Sequence, residues 1–281
     1  MRTSLLALLV ALAMIAAACG GSDESESASG SDADVDCDAP ALKTDGTLTV
    51  ATGEPAFLPW VADDNPEAGE GFEAALVYAL ADEMGVDNVT WVRTGFDDAI
   101  APGAKDYDFN IQQFSITPDR AEVVDFSNGY YQVEQAIIGA ADSAAASATS
   151  IDDLKELQLG AAIATTSLDY LEEVVQPSSD AAVFDDNVAA KSAFDAGQID
   201  GIVFDLPTAY YITAVEIPEA SILGVLPRGD EPEELGMLFE QGSPLVTCVN
   251  EALAVLQDNG TIEGLEDEWL NSGGSIPTLS N

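Results

Sequence analysis

Apolar residues follow two different spacings along this chain, and stretches with the two spacings alternate. Short, mostly apolar runs predict strands at 47–52, 89–92, 109–116, 135–140, 159–164, 181–184 and 201–205. Helical spacing links Phe72, Leu76, Leu80 and Met84, and Gly85 is a natural helix stop. Further helices are predicted at 167–175, 187–196 and 245–256. Alternating strands and helices indicate an α/β fold with layered sheets.

The N-terminus has the features of a secretory signal. Arg2 precedes an apolar run over 5–18, which is too short to be a spanning helix and ends at small residues before Cys19. Ala16-Ala17-Ala18-Cys19 resembles a lipobox, so we expect residues 1–18 to be removed and Cys19 to be acylated. The alternative is plain secretion. Residues 19–40 then supply the acylated cysteine and a flexible acidic tether, because this stretch has too few apolar residues to fold.

The charge of the chain excludes several functions. It carries 51 acidic and 8 basic residues, a net charge of −43, which makes nucleic acid and anionic membrane surfaces poor partners. Histidine is absent, so Ser-His-Asp catalysis, Cys-His catalysis and histidine-containing zinc sites are excluded. We expect no cofactor and no metal, and we expect contact with a membrane only through the lipid anchor.

Two cysteines remain once Cys19 is assigned to the lipid. Cys37 and Cys248 form an even pair in a chain predicted to enter an oxidising compartment. A disulfide between them would join the start of the folded region to a C-terminal helix. Two free buried thiols are the alternative.

The segment from Ile111 to Ser127 contains an arginine in an unusual position. Thr117 is a good helix N-cap, and Pro118 suits the first helical position. Arg120 then lies in the first helical turn, where the helix dipole favours acidic residues. A cation is favourable there if it shares a bound anion with the exposed backbone N–H groups. The alternative is a surface arginine that pairs with Asp119, Glu122 or Asp125.

The motif Ser115-Ile-Thr-Pro-Asp-Arg-Ala-Glu-Val-Val-Asp-Phe-Ser127 resembles the signature of the family 3 extracellular solute-binding proteins, and the resemblance extends over about 46–269. It implies a two-lobed, periplasmic-binding-protein-like (type II) α/β fold with a ligand cleft between the lobes. Lobe 1 would comprise 41–132 plus 232–281, and lobe 2 would comprise 133–231, with crossing strands near 131–133 and 227–235. We expect the Gly- and Ser-rich tail after Leu270 to be loosely attached.

The resemblance also implies roles for individual residues. Arg120 and Ser115 would hold a ligand carboxylate, and Asp205 would pair with the ligand ammonium. The remaining predicted ligand-binding residues are Glu54, Phe57, Trp60, Gln113, Phe114, Thr165 and Thr166. Read without the resemblance, Thr165, Thr166 and Asp205 are candidate helix caps, and Trp60 is a candidate for packing on lobe 1.

These features predict a monomeric, extracytoplasmic, membrane-anchored lipoprotein that binds a polar amino acid or related zwitterion for the permease subunits of an ABC importer. An enzyme resembling cyclohexadienyl dehydratase, with Glu54 as general acid, is one alternative. A subunit that presents ligand to a separate sensor is another. The chain departs from the family at Pro102-Gly103 and at the large Gln113, and both departures bear on the side-chain pocket.

Overall fold

The computed structural model of the protein describes residues 35–228, 232–270 and 276–281. The predicted signal, Cys19 and most of the tether lie outside the described residues. Within the described ranges the strands are β1 (Thr47–Thr52), β2 (Asn88–Arg93), β3 (Phe109–Asn110), β4 (Asp125–Phe126), β5 (Tyr131–Val133), β6 (Gln135–Ala140), β7 (Leu159–Ala162), β8 (Ala182–Phe184), β9 (Gly201–Asp205), β10 (Ala220–Val225), β11 (Glu233–Leu235) and β12 (Leu238–Phe239).

The helices of the described chain connect these strands. They are α1 (Phe72–Glu83), α2 (Phe96–Ile100), α3 (Pro118–Ala121), α4 (Ile151–Leu154), α5 (Thr166–Tyr170), α6 (Asn187–Asp195), α7 (Leu206–Tyr211), α8 (Leu245–Asp258) and α9 (Thr261–Trp269). Short 3-10 turns lie at Ala62–Asp64, Pro66–Ala68 and Ala144–Ser147, and wider π turns extend α5 and α7 at Leu171–Val175 and Ile212–Glu216. The helix predicted over 167–175 is thus an α-helix that continues as a π turn.

Two five-stranded sheets organise the described residues. The first has the order β2-β1-β3-β12-β4, with β1 parallel to β2 and β3. The second has the order β10-β6-β9-β7-β8. A separate antiparallel ribbon pairs β5 with β11, and these two strands link the sheets. We call each sheet with the helices packed on it a lobe. The two-lobed α/β fold predicted from the sequence is therefore present.

The first lobe buries the apolar face of α1 against its sheet and against α8. Phe72, Leu76 and Leu80 recur at helical spacing, and none of them is exposed to solvent. The predicted disulfide between Cys37 and Cys248 is formed at the edge of this core. In the second lobe, two apolar clusters cover the two faces of the sheet.

The strand predicted over 109–116 is shorter in the structure, so that prediction was wrong in its extent. Regular pairing ends at Asn110, and Gln113 adopts a left-handed backbone conformation with φ 53°. Its N–H donates to the buried carboxylate of Glu73 rather than to a neighbouring strand. An acid on α1 therefore redirects the chain just where it reaches the cleft.

The C-terminal residues 276–281 lie on the second lobe. The N–H of Leu279 donates to the Val225 carbonyl at 2.9 Å, and the N–H of Ser280 donates to the Thr149 carbonyl at 2.9 Å. The Leu279 side chain is buried in one of the second lobe's apolar clusters. This placement contradicts the expectations that the tail is loosely attached and that it belongs to lobe 1. The first expectation rested on the Gly- and Ser-rich composition and the second on the family resemblance, and neither takes account of the single buried Leu279.

Candidate functional site

A cavity of ≈ 180 Å³ lies where the two lobes face one another. It is lined from the first lobe by the loop after β1, the start of α2 and the segment that ends in α3. From the second lobe it is lined by the starts of α5, α6 and α7. Its volume is below the several hundred Å³ typical of sites for drug-sized ligands, so it suits a small metabolite. All the predicted ligand-binding residues except Phe114 line it: Glu54, Phe57, Trp60, Gln113, Ser115, Arg120, Thr165, Thr166 and Asp205.

Arg120 is buried in the wall of this cavity. Thr117 caps α3 by accepting a hydrogen bond from the Arg120 N–H at 3.2 Å. The guanidinium donates to the Ser115 carbonyl at 2.7 Å and, across the cleft, to the Ala164 carbonyl at 2.8 Å. It also lies 5.4 Å from the centroid of the Phe96 ring. The predicted alternative of a surface salt bridge is absent, since no ion pair among the described residues involves Arg120.

Burial lowers the pKa of Arg120, and the negative charges of Asp169, Glu233 and Asp205 oppose that shift. A guanidinium stays protonated in proteins, so Arg120 keeps its positive charge in this buried position. Arg120 thus combines a permanent positive charge with hydrogen bonds to neutral carbonyl groups. An anion entering the cavity would supply the missing counter-charge.

Two hydroxyls from opposite lobes converge on one carboxylate. Ser115 Oγ and Thr166 Oγ1 both donate to Glu233 Oε1, the second at 2.7 Å. Glu233 is almost fully buried on β11 and forms an ion pair with Arg228. Thr165 instead caps α5, accepting from the Leu168 N–H at 3.2 Å. Thr165 therefore fills the cap role, while Thr166 points its hydroxyl into the network between the lobes.

Asp205 ends β9 and immediately precedes α7, but its side chain makes no capping hydrogen bond. Its carboxylate accepts instead from Gln135 Nε2 at 2.5 Å, and the same amide nitrogen lies 3.4 Å from Glu233 Oε2. Burial raises the pKa of Asp205 to about 7, and the nearby charge of Glu233 adds to the increase. An ammonium group beside Asp205 would relieve this repulsion.

Sequence reasoning missed Gln135, Arg228 and Glu233, although they hold the site together. Gln135 is fully buried at the start of β6, where it accepts a hydrogen bond from Ser167 Oγ as well as donating to Asp205. Glu233 falls inside the predicted crossing region, and an acid there could have been noted. In a chain with 51 acidic residues, however, one more acid carries little signal.

Glu73 was also missed, and it supports the cavity from behind. Its side chain has no solvent exposure and accepts hydrogen bonds from the Tyr130 hydroxyl at 2.5 Å and the Gln113 N–H at 2.8 Å. The Gln113 side-chain amide also donates to it. Burial raises the pKa of Glu73 to about 7, and these hydrogen bonds oppose the shift. The acid thus fixes both the backbone and the side chain of Gln113, which lines the cavity.

Trp60 packs in the first lobe and also reaches across the cleft. Its ring is 1% exposed and meets Phe72 and Tyr131 edge-on. Its Nε1 donates to Thr208 Oγ1 on α7 at 2.9 Å. Gly71 allows this placement, because a Cβ at that position would lie 2.5 Å from the Trp60 carbonyl oxygen. The packing role and the cavity-lining role predicted as alternatives are both present.

Phe114 does not line the cavity. It is fully buried in a small apolar cluster, and its ring stacks on Phe96 with the centroids 4.6 Å apart. Phe96, on the first turn of α2, lines the cavity in place of Phe114. The left-handed turn at Gln113, with φ 53°, directs the segment so that Gln113 and Ser115 line the cavity while Phe114 packs in the apolar cluster. Glu54 and Phe57 line the entrance, where Glu54 is exposed and Phe57 is half-buried.

Comparisons with known proteins agree with this geometry. The chain is 26% identical to the L-cystine-binding protein TcyJ of Escherichia coli strain K12 over 234 residues, which cover 82% of this chain and 85% of that protein. It is 28% identical over 210 residues to the ABC transporter arginine-binding protein 1 of the same strain, covering 71% of this chain and 81% of that one. Among solved structures, the ancestral amino acid-binding protein AncCDT-1, a precursor of cyclohexadienyl dehydratase, is 30% identical with a TM-score of 0.67, covering 80% of this chain and 96% of its own.

The family model for bacterial extracellular solute-binding proteins, family 3, matches residues 48–272. This range contains both sheets except for Thr47, the β5–β11 ribbon and every residue that lines the cavity. The chain therefore belongs to the bacterial extracellular solute-binding proteins of family 3.

Proposed function

We propose that this protein is the extracytoplasmic receptor of an ABC importer and binds a polar amino acid or related zwitterion in the cavity between its lobes. Arg120 and Ser115 would take the ligand carboxylate, and Asp205 would take the ammonium. The observation that carries the proposal is the buried Arg120, which has no carboxylate of the described residues within ion-pair distance and shares a cavity with the half-buried Asp205. Relatives whose names describe binding of cystine and arginine support it.

Ligand would favour the closed arrangement because its two charged ends meet different lobes. A ligand shifts an equilibrium only through its differential affinity for the two states. Arg120 belongs to the first lobe, and Asp205 ends a strand of the second. If the lobes separated, a zwitterion that stayed on one lobe would lose the partner of its other charge. Closure and binding are thereby coupled.

A thermal-shift screen of the purified protein against the common amino acids, small amines and sugars would identify a ligand. Calorimetry would then compare Arg120→Ala and Asp205→Ala with wild type. Truncating one partner of a buried charged pair costs on the order of 2–5 kcal/mol, a roughly 30-fold to several thousand-fold loss of affinity. Lys155→Ala and Asp195→Asn are matched controls, since both residues form exposed ion pairs outside the cavity. Near-wild-type affinity in either cavity variant would contradict that residue's role.

A dehydratase is the second candidate, because AncCDT-1 is described as a precursor of cyclohexadienyl dehydratase. A general acid must reach the leaving group of its substrate. Glu54 is the candidate acid, and it lies exposed at the cavity entrance. The test is turnover of prephenate and arogenate by the purified protein. We expect none, and product formation that Glu54→Gln abolishes would replace the receptor proposal.

Anchoring through an acylated Cys19 is a separate part of the proposal, supported by the signal-like sequence that precedes it. The membership of an extracellular family agrees with export. No helix in the described part of the chain is long and apolar enough to cross a membrane. Changing Cys19 to Ala should release the protein or leave its precursor unprocessed. Processing and membrane retention like wild type would contradict the anchor.

A further inference from the structure

The charges that line the cavity are strongly unequal. Among the described residues, Arg120 is the single basic residue in the lining, whereas the acidic ones are Glu54, Asp97, Asp185, Asp186 and Asp205. A zwitterion held as proposed above would use Arg120 and Asp205. Four carboxylates would then still face the ligand, two from each lobe.

These four carboxylates have no basic partner within the described chain. None of its ion pairs includes Glu54, Asp97, Asp185 or Asp186. Asp186 caps α6 by accepting from the Ala189 N–H, but this hydrogen bond leaves its negative charge uncompensated. All four are exposed residues that line the cavity. A ligand side chain therefore enters a field of uncompensated negative charge.

A second observation indicates that the ligand side chain donates hydrogen bonds. The side-chain oxygen of Gln112 is buried in the same cavity wall and accepts from no donor among the described residues. A buried acceptor without a donor costs free energy until a donor arrives. The half-buried ring of Phe57 also lines this region, and an aromatic face attracts a cation above it.

We infer that the cavity selects an amino acid with a cationic side chain, a guanidinium or an ammonium, whose distal end lies near Glu54, Asp97, Asp185, Asp186 and Gln112. This inference rests on the proposed function, because Arg120 and Asp205 must hold the α-carboxylate and α-ammonium. An acidic side chain is excluded by like-charge repulsion. A neutral side chain of the same shape loses the attraction of the four carboxylates.

The test compares ligands that differ in charge but not in shape. Calorimetric titrations of the purified protein would use L-arginine against L-citrulline, and L-lysine against Nε-acetyl-L-lysine. We expect at least one cationic member to bind about 30-fold or more tightly than its neutral partner, which is about 2 kcal/mol. The preference should persist from about 0.1 M to about 1 M salt, although weakened, whereas attraction by the net charge of −43 alone would be screened.

Substitutions of single cavity carboxylates test which of them cause the preference for a cationic ligand. Glu54→Gln and Asp97→Asn should each weaken binding of the cationic ligand several-fold and weaken binding of the neutral partner less, so that the ratio of the two affinities falls. Asp98→Asn is the matched control, since Asp98 is exposed next to Asp97 but does not line the cavity. It should change neither affinity.

Other outcomes separate this inference from the proposed function. Equal affinity for arginine and citrulline, or tighter binding of L-cystine, glutamine or glutamate than of either cationic amino acid, would overturn the inference and leave the receptor function standing. Absence of binding by every amino acid would overturn both. Loss of binding in Arg120→Ala together with equal affinity for the cationic and neutral ligands would support the role of Arg120 in the proposed function and overturn the cationic preference.

Discussion

Trp60 and Thr208 join the two lobes through one hydrogen bond, from the indole Nε1 to the threonine Oγ1 at 2.9 Å. Trp60 follows β1 in the first lobe, and Thr208 lies on α7 in the second. Both are nearly buried, so water does not compete for the bond. The contact therefore belongs to the closed arrangement and should contribute to ligand affinity through closure.

We predict that Thr208→Val weakens ligand binding about three- to tenfold, since a net hydrogen bond contributes roughly 0.5–1.5 kcal/mol. Trp60→Phe keeps an aromatic ring against Phe72 and Tyr131 but removes the donor, so it should weaken binding at least as much. The double variant should lose less than the sum of the two single losses. Calorimetry on the four proteins gives the coupling energy. Strict additivity would show that the bond does not contribute to closure.

The affinity for ligand should depend on pH through Asp205. Burial and the charge of Glu233 raise the pKa of Asp205 to about 7, and a ligand ammonium pairs with the ionised form. Below pH 7 the carboxyl of Asp205 must release a proton when the ligand binds. The affinity should therefore decrease as the pH is lowered, by up to about tenfold per pH unit, and should be constant above pH 7. Calorimetry in buffers of different ionisation enthalpy would measure the released proton.

A control is needed because the pKa of Glu73 is also raised to about 7, and the negative charge of Glu73 helps to raise the pKa of Asp205. Arg228 opposes the shift, and Gln135 holds the carboxylate by its hydrogen bond. Asp205→Asn should remove the slope below pH 7 while Glu73→Gln retains it. A slope that survives Asp205→Asn would assign the proton to another group.

Glu73 should contribute to stability through the groups it satisfies. Glu73→Ala leaves the Gln113 N–H and the Tyr130 hydroxyl without an acceptor in a buried site, so we expect a loss of about 2–5 kcal/mol in the free energy of unfolding. Glu83→Ala, an exposed position on the same helix, should change it by less than about 0.5 kcal/mol. Denaturant unfolding monitored by fluorescence measures both. A similar loss in the two variants would contradict the role of Glu73.

The raised pKa of Glu73 gives this prediction a pH dependence with a definite sign. The carboxyl binds its proton more tightly in the folded protein, about 7 against 4.5 for the ordinary group. Its protonation therefore favours the folded state, and this contribution is lost as pH rises from about 4.5 to about 7. Glu73→Gln should flatten that part of the stability profile. An unchanged profile would show that Glu73 is already ionised below that range.

Much of the fold could be predicted from local sequence patterns. A helix or strand that buries one face has apolar residues at regular spacing, and this spacing is visible in the sequence. The spacing of Phe72, Leu76 and Leu80 is enough to place α1, and the run at 135–140 coincides with β6. The Thr117–Pro118 pair marks the start of α3 for the same kind of local reason, since one side chain caps the backbone and the other tolerates a missing N–H. The site residues on these element ends were therefore accessible from the sequence.

The buried acidic residues could not be predicted from local sequence patterns. Glu73 and Glu233 are acids in an acidic chain, and only tertiary contacts distinguish them from surface residues. The left-handed backbone of Gln113 depends on one of them, so the early end of β3 could not be read locally. Phe114 was misplaced for a related reason. Which face of the segment meets the cavity depends on that same backbone turn.

The C-terminal residues 276–281 pack on the second lobe, although their composition did not predict this packing. Leu279 is 4% exposed and contacts the region of Gly224, where a Cβ would lie 2.7 Å from the leucine side chain. Backbone hydrogen bonds to Val225 and Thr149 fix the segment on either side of it. Helix α9 ends at Trp269 in the first lobe, whereas residues 276–281 lie on the second lobe.

We predict that Leu279→Ala lowers the free energy of unfolding by about 2–4 kcal/mol, because the substitution removes buried methyl groups and leaves a cavity against Gly224. Thr278→Ala is the matched control. Its side chain is exposed and only its backbone pairs with Val225, so the change should stay within about 0.5 kcal/mol. Denaturant unfolding provides the measurement, and amide hydrogen exchange should show lost protection at Val225 and Ile151, whose N–H groups donate to Pro277 and Ser280. Unchanged stability and protection in Leu279→Ala would mean that the segment does not dock in solution, and the original expectation of a loosely attached tail would then stand.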